Sequence, residues 1–394
     1  MAAKQSTHDI LTRLRSLDAK WLRVYWIDAT ASSKCRLIPM KRLYKTLESG
    51  KPLTISILQG ALGMLPCDML APGFSATHTY NLHPDWSSLK RGPVKDHASC
   101  YGEFRQINGS DCVLCPRRLL RKTLEQAAAS GLDFLIGFEI EFVALEKLPR
   151  GTVENGSKYR TISHDGHAWS TSRALAEWGR DDSIVSALDE MVDLLDAADI
   201  PVEQLHAESI PGQFEIRGKV YESFYAGILS HLPAIAAFTY ANPASYERAV
   251  DSFWAGGRWV AWGTQNRETP LRKCEGAHWE FKALDGLANP YVAVAALLAA
   301  GCEGIARKTS LETWKDCEPD PARLEPDQRA ALGITRELPK DLNQALEFLA
   351  ADSTLEGLVG REFVQSYVDV KRAELAFLMP MADDERRQWL VERY

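Results

Sequence analysis

Glutamates in strand-like stretches are the first residues of this 394-residue chain whose type and spacing suggest chemistry. In GFEIEF, Glu139 and Glu141 stand two apart. Side chains of a β-strand alternate between faces, so both carboxylates would point to one side and Phe138, Ile140 and Phe142 would face a core. Two like charges on a half-buried face repel and raise each other's pKa unless a cation lies between them, and hard oxygen donors of this kind suit Mg2+ or Mn2+. The bland alternative is the solvated outer face of an amphipathic strand. EQLHAESIPGQFEIR adds Glu203, Glu208 and Glu215, the last two on strand-like pieces joined by a Pro-Gly turn, so that they can converge. An acidic hairpin in water is the alternative there. Glu280, in AHWEFKALD, falls on a further strand among aromatic residues. Together these glutamates describe a cation-binding funnel.

A basic set lies nearby in TQNRETPLRK, with Arg267, Arg272, Lys273 and, a little further on, Lys282. Guanidinium forks bind carboxylate and phosphate bidentately. Arginines beside a metal-binding carboxylate cluster suggest phosphoryl chemistry, in which metal and cations share the transferring charge. Taken singly, each arginine reads as a surface ion pair. Neither GxxxxGK[ST] nor a GxGxxG after a strand occurs, so a P-loop or Rossmann site is not supported. Trp254, Trp259 and Trp262 read as core, with a stacking surface for an organic substrate as the alternative.

The elements that must position these groups belong to a chain of ordinary globular composition. It is 45% hydrophobic, 25% charged and 9% aromatic, which excludes disordered, collagen-like and coiled-coil chains. Its length suggests two or three domains. A net charge of −7 disfavours a nucleic-acid partner while leaving room for a local basic pocket. No run approaches the roughly 18–20 apolar residues that cross a bilayer, and the most apolar one, Tyr291 to Ala300, follows Pro290, so no membrane partner is expected. MAAKQSTHDI lacks the apolar centre of a secretory signal, and the eight cysteines, including the lone C-x-x-C of Cys112 and Cys115, read as reduced thiols. The expected location is cytoplasmic.

Along the chain, Ile10, Leu11, Leu14 and Leu17 share the face of an N-terminal helix. LRVYWIDATASSKCRLIP reads as two strands about a polar turn, and residues 66–95 as a long ordered loop with short strands. RRLLRKTLEQAAASG is a helix with Pro116 at its start and Gly131 at its stop, and the domain boundary falls there. FLIGFEIEFVAL is a strand, residues 147–180 a polar insertion and SIVSALDEMVDLLDAAD a helix. A helix near 221–239, strands at RWVAWG and AHWEFKAL, and a helix at 289–307 follow. Asn289 caps that last helix and Pro290 takes its first position. A charged linker over 308–330 leads to amphipathic C-terminal helices.

These segments, in this order, resemble the glutamine synthetase superfamily from about residue 20 to the end. GFEIEF resembles its first metal-binding strand and HAESIPGQFEI its second acidic segment. NPASYERA, WGTQNRETPLRK, HWEFKALDGLANPYVAVAALLAAGCEGI and LPKDLNQALEFLAAD follow in the family's order. The details are similar to a glutamine-synthetase-like branch found in fungi, related to γ-glutamyl ligases. The resemblance implies an α+β fold, with a small β-grasp N-terminal domain over residues 1–113 and a glutamine-synthetase-type catalytic domain over 114–394, an antiparallel sheet with flanking helices. It implies a ring-shaped homo-oligomer with active sites shared between subunits. The implied reaction is ATP-dependent ligation of glutamate to ammonia or an organic amine through a γ-glutamyl phosphate. By motif, Glu141, Glu208 and Glu215 would hold one Mg2+ or Mn2+, and Glu139 and Glu280 the other, which bridges the ATP phosphates. Arg248 and Arg267 would bind the glutamate carboxylate and the transferring phosphate, and Arg272 with Lys282 the nucleotide phosphates.

The chain also departs from that pattern. Between Glu215 and Tyr246 the family carries a long helix, a strand with a Lys-Pro element and an H-x-H-x-S strand. Here QFEIR runs within a few residues into KVYESFYAGILSHLPAIAAF, which resembles the helix beyond that block. The gap, near residues 216–222, leaves the catalytic domain incomplete and removes the histidine that completes the second metal site. Lys282 stands where the family prefers Arg, Trp254 falls near the usual glutamate of the closing flap, and LTISILQGALG lacks the aspartate that deprotonates ammonium. Strands beside the missing elements should lose ladder partners, and a site left with two ligands should hold its ion weakly. The expectation is a ligase of impaired activity. The alternatives are a non-catalytic relative with a binding or regulatory role and, ranked last, a metal-dependent kinase without amine transfer.

Overall fold

The computed structural model describes residues 6–134, 136–153, 157–161, 184–198, 200, 202, 213–214, 222–275 and 278–394. In the N-terminal part the elements are α1 (Thr7–Ser16), β1 (Trp21–Ile27), β2 (Ser33–Pro39), α2 (Met40–Glu48), β3 (Ile55–Leu58), β4 (Thr79–Pro84), β5 (Lys90–Arg91) and β6 (His97–Arg105). A capping box opens α1: the Ser6 hydroxyl accepts from the Asp9 amide at 3.1 Å, and the Asp9 carboxylate accepts from the Ser6 amide at 3.2 Å. Along β1 every second residue, Leu22, Val24 and Trp26, is buried, as alternation requires. That strand pairs antiparallel with β2 and parallel with β6 in a six-stranded sheet of order β2-β1-β6-β4-β3, with β5 beside β6. One core beneath it takes buried residues from Ile10 to Cys115, and a second runs from Leu119 to Leu375.

The second part begins with α3 (Pro116–Ala129), β7 (Phe142–Val143), β8 (Leu145–Lys147), β9 (Tyr159–Thr161), α4 (Ile184–Ala197), β10 (Gln213–Phe214), α5 (Glu222–Thr239) and α6 (Ser245–Arg248). Strands β11 (Trp262–Thr264), β12 (Leu271–Glu275) and β13 (His278–Phe281) form a three-stranded sheet, β11 parallel to β12 and β12 antiparallel to β13. Helices α7 (Pro290–Arg307), α8 (Pro326–Ala331), α9 (Leu342–Ala351), α10 (Ser353–Val359), α11 (Arg361–Leu378) and α12 (Asp383–Val391) complete the chain.

Small residues set the centre of the larger core. A Cβ on Gly227 of α5 would lie 2.2 Å from the Ala300 carbonyl oxygen of α7, and one on Gly304 would lie 2.6 Å from the Gly227 Cα. The two helices therefore meet backbone to backbone. Pro233 inside α5 has no amide to offer the Leu229 carbonyl. Arg336 supplies the missing donor, its Nη2 to Leu229 O at 2.7 Å and its Nη1 to Ser230 O at 3.0 Å. Asn289 caps α7 through its Oδ1, 3.0 Å from the Tyr291 amide, and its Nδ2 donates to Asp28 O at 2.8 Å, tying the turn after β1 to the larger core. By length and composition α7 is long and apolar enough to cross a membrane, a longer run than Tyr291–Ala300 alone suggests. More than half of it is buried inside this fold, with 56% of its apolar window covered.

Three expectations are corrected. Among the described residues of FLIGFEIEFVAL, regular strand is limited to Phe142–Val143, which pairs with Gln213–Phe214 in a two-residue ladder, and to Leu145, which opens β8. Strand geometry needs a ladder partner, and a ladder so short leaves residues 136–141 irregular. Phe138 and Ile140 accordingly do not face a core but are 48% and 59% exposed. The strand read at RWVAWG begins only at Trp262, Trp259 joining by a single bridge to Glu337.

Candidate active site

Register builds the site. Arg272 on β12 stands directly opposite Glu280 on β13, so their side chains share one face of the sheet, and Lys282, two residues beyond Glu280, falls on the same side. The Glu280 Oε2 accepts from Arg272 Nη1 at 3.0 Å and its Oε1 from Lys282 Nζ at 3.0 Å. The second Arg272 nitrogen, Nη2, donates to Gln265 Oε1 at 2.7 Å. The three charged side chains are only 8–12% exposed. Burial alone would push the Glu280 carboxyl up, but Lys282 and then Arg272 outweigh it and hold the group below the ordinary carboxylate range. Two cations share one carboxylate, so the cluster carries excess positive charge. The Arg272 Nε is also buried and has no partner among the described residues. Leaving such a donor unpaired is costly, and an acceptor oxygen, that of an anion included, satisfies it.

The sheet is held from behind by aromatic rings. Trp279 stacks on Tyr225 with centroids 4.2 Å apart and packs obliquely on Trp262 at 5.1 Å. Trp262 in turn donates its indole N–H to Trp314 O at 2.7 Å. Asn266 fixes the turn before β12, donating to Cys317 O at 2.7 Å and Pro319 O at 3.0 Å while accepting from the Glu268 amide at 2.9 Å. Of the three tryptophans expected in the core, Trp262 packs against it and Trp259 is half-buried beneath the Arg329 guanidinium at 4.1 Å, but Trp254 is 63% exposed. It lies on a tight loop whose polar ties hold the backbone and leave the ring outside.

The structure thus brings together Glu280, Arg272 and Lys282 from the expected set. Arg267 and Arg248 are exposed, the latter donating to Leu284 O at 3.1 Å. Glu139 is half-buried and Glu141 exposed, both on the irregular stretch before β7. Glu208 and Glu215 lie outside the described residues. Among the described residues no three acidic, histidine or cysteine side chains gather closely enough to hold a metal ion. The described carboxylates alone therefore do not supply the donor set that Mg2+ or Mn2+ requires. Gln265, which orients Arg272, was not singled out; it sits in a turn at φ 56°, where no periodicity marks it.

An α+β protein with two large hydrophobic cores among the described residues and a buried charge cluster with excess positive charge on a small sheet is the class these features define. The chain belongs to the family described as the glutamine synthetase catalytic domain, which it matches over residues 113–223 and 217–394. It is 35% identical to the protein fluG of Emericella nidulans over 461 aligned positions, spanning 100% of this chain and 52% of that one, so it covers about half of fluG. It is 37% identical over 171 residues to the γ-glutamylpolyamine synthetase GlnA3 of Streptomyces coelicolor, 41% of this chain and 36% of that protein. A glutamine synthetase of Pyrococcus horikoshii is 25% identical over 440 positions, 95% of each chain. Among solved structures, a glutamine synthase homologue shares the fold at TM-score 0.76 and 21% identity, covering 95% of this chain and 99% of its own. A GmaS–ADP complex does so at 0.76 and 19%, covering 97% and 99%. The family match falls into two pieces that meet at residues 217–223. The alignment to fluG runs over 461 positions against 394 residues, so 67 of its positions face no residue here.

Proposed function

We propose that this chain carries the machinery of an ATP-dependent glutamate–amine ligase, acting through a γ-glutamyl phosphate, with turnover impaired by the block missing near residues 216–222. The observation that carries the ligase reading is the buried Arg272–Glu280–Lys282 cluster, whose orphan guanidinium donor fits a phosphate oxygen. Arg272 and Lys282 would grip the nucleotide phosphates, while the exposed Arg248 and Arg267 would orient the glutamate carboxylate and the transferring phosphate. Glu139, Glu141, Glu208, Glu215 and Glu280 are the side chains offered to Mg2+ or Mn2+. When bound, such an ion would spread the charge of the phosphoryl group. The acceptor is ammonia or an organic amine, and the working form a cytoplasmic ring of identical subunits.

Support for impairment comes from the two-piece family match and the unmatched positions in the fluG alignment. The same break favours a second reading, a non-catalytic relative that binds ligands without turning them over. Thermal unfolding with and without ATP and Mg2+, beside a coupled ADP-release assay with glutamate and amines, tests both. A raised melting temperature with slow ADP release supports the impaired ligase. A raised melting temperature with no release supports the non-catalytic reading, and no shift at all refutes nucleotide binding.

A further inference from the structure

A cavity of about 700 Å³ opens where the middle of α5 meets residues 336–340 and the junction of α9 with α10, and no residue of the charge cluster lines it. That volume suits a small organic ligand. Pro233, Ala234, Leu338 and Phe348 give it an apolar lining, and Phe348 is 38% exposed. Arg336 and Lys340 give it two cations. The partners of Arg336 among the described residues are the Leu229 and Ser230 carbonyls, at 2.7 and 3.0 Å, rather than carboxylates. Arg336 is exposed along its length, yet burial around the guanidinium holds it below its ordinary range, and the pull of Asp352 does not make up the difference. Lys340 is exposed and forms no ion pair among the described residues. Two acids also line the cavity, Glu337 and Asp352. Asp352 spends both oxygens, one on His231 Nδ1 at 2.6 Å and the other on the Leu355 amide at 2.9 Å, and His231 Nε2 lies 3.8 Å from Glu303 of α7. Glu337 is exposed, so water screens its charge.

Two cations without carboxylate partners beside an apolar lining are the components of a site for an organic anion. Arginine and lysine heads are donors only, and a carboxylate accepts from both at once. Two cations against the one acid left, Glu337, match a single negative charge better than the two of a phosphate. We propose that this cavity binds a small monocarboxylate with an apolar body of about the size of one aromatic ring, its carboxylate between Arg336 and Lys340 and its body against Pro233, Ala234 and Phe348. The site stands apart from the ligase reading, since none of its residues is assigned there to glutamate, amine, nucleotide or metal. A bound carboxylate would tie residues 336–340 to α9 and so stabilise the folded chain.

The test is ligand-observed NMR titration of the full chain with four probes. Phenylacetate carries both charge and body, inorganic phosphate the charge alone, benzyl alcohol the body alone, and 2-phenylethylamine the body with the opposite charge. Phenylacetate should bind about tenfold tighter than any of the other three. Arg336 also satisfies two carbonyls of α5, so its removal could unfold the chain, and the informative variants lie elsewhere. Lys340 and Phe348 are exposed and belong to neither hydrophobic core. Lys340→Gln and Phe348→Ala should each weaken phenylacetate about fivefold at an unchanged melting temperature, while leaving ATP binding as it was. Equal affinities for phenylacetate and 2-phenylethylamine would overturn the proposal by removing the role of the cations. Equal affinities for phenylacetate and phosphate would overturn it by removing the role of the apolar lining. Phenylacetate affinity unchanged in both variants, or displacement of phenylacetate by ATP, would place the probe outside this cavity and overturn it as well.

Discussion

Glu280 sits between Arg272 and Lys282 at 3.0 Å from each, in a pocket that water scarcely reaches. Its folded-state pKa is held below the ordinary value, so the stabilisation is complete above the carboxylate range and is lost as pH falls through the folded value. Glu280→Gln removes that acid-side loss. At neutral pH the same substitution strands two buried cations, and the expected cost is on the order of 3 kcal/mol. Urea denaturation at neutral and at acid pH checks both halves: the difference between variant and parent should shrink as pH falls. At this scale the sequence marked Glu280, Arg272 and Lys282 by residue type and by resemblance. It did not mark their pairing, because Pro270 and a turn precede β12 and mask it as a strand; only the register of β12 against β13 sets Arg272 opposite Glu280.

Among the elements, α5 and α7 make the contact on which the larger core depends. Gly227→Ala would drive a methyl into the Ala300 carbonyl and the Gly304 backbone, neither of which is a flexible side-chain end. We expect a loss of about 2 kcal/mol or more, read as a lower urea midpoint at unchanged slope. An equal change at Gly357, whose added Cβ meets nothing within 4 Å, is the control. The apolar, small-residue character of both helices was legible in the sequence, and so was the Asn-Pro start of α7. The GFEIEF strand was legible as alternation, yet alternation fixes only which residues share a face. Whether a ladder forms depends on partners elsewhere in the chain, and the described ladder there is two residues long.

At the scale of the whole molecule, burial assigns the thiols to distinct classes. Burial pushes Cys100 and Cys112 up to about 12 and Cys115 to about 11, whereas Cys35 and Cys67 are partly exposed. Mass spectrometry after iodoacetamide treatment of the native protein at mildly alkaline pH should find Cys35 and Cys67 alkylated first and the C-x-x-C pair unmodified until the chain unfolds. Labelling of Cys112 or Cys115 at the rate of Cys35 would contradict the packing of the N-terminal core. The two cores, the charge balance and the family order were readable from composition and motif. The funnel expected of Glu139, Glu141, Glu208 and Glu215 is not among them, since Glu208 and Glu215 lie outside the described residues.

We have proposed that this chain forms a ligase site whose turnover is limited by a block absent near residues 216–222. A coupled ADP-release assay with glutamate, ATP, Mg2+ and a set of amines should be run on this chain and on a version with the family's H-x-H-x-S block spliced in at residues 216–222. The spliced chain should turn over faster by about a hundredfold or more, the scale of a restored metal-assisted step. Brisk and equal turnover by the two chains would contradict it.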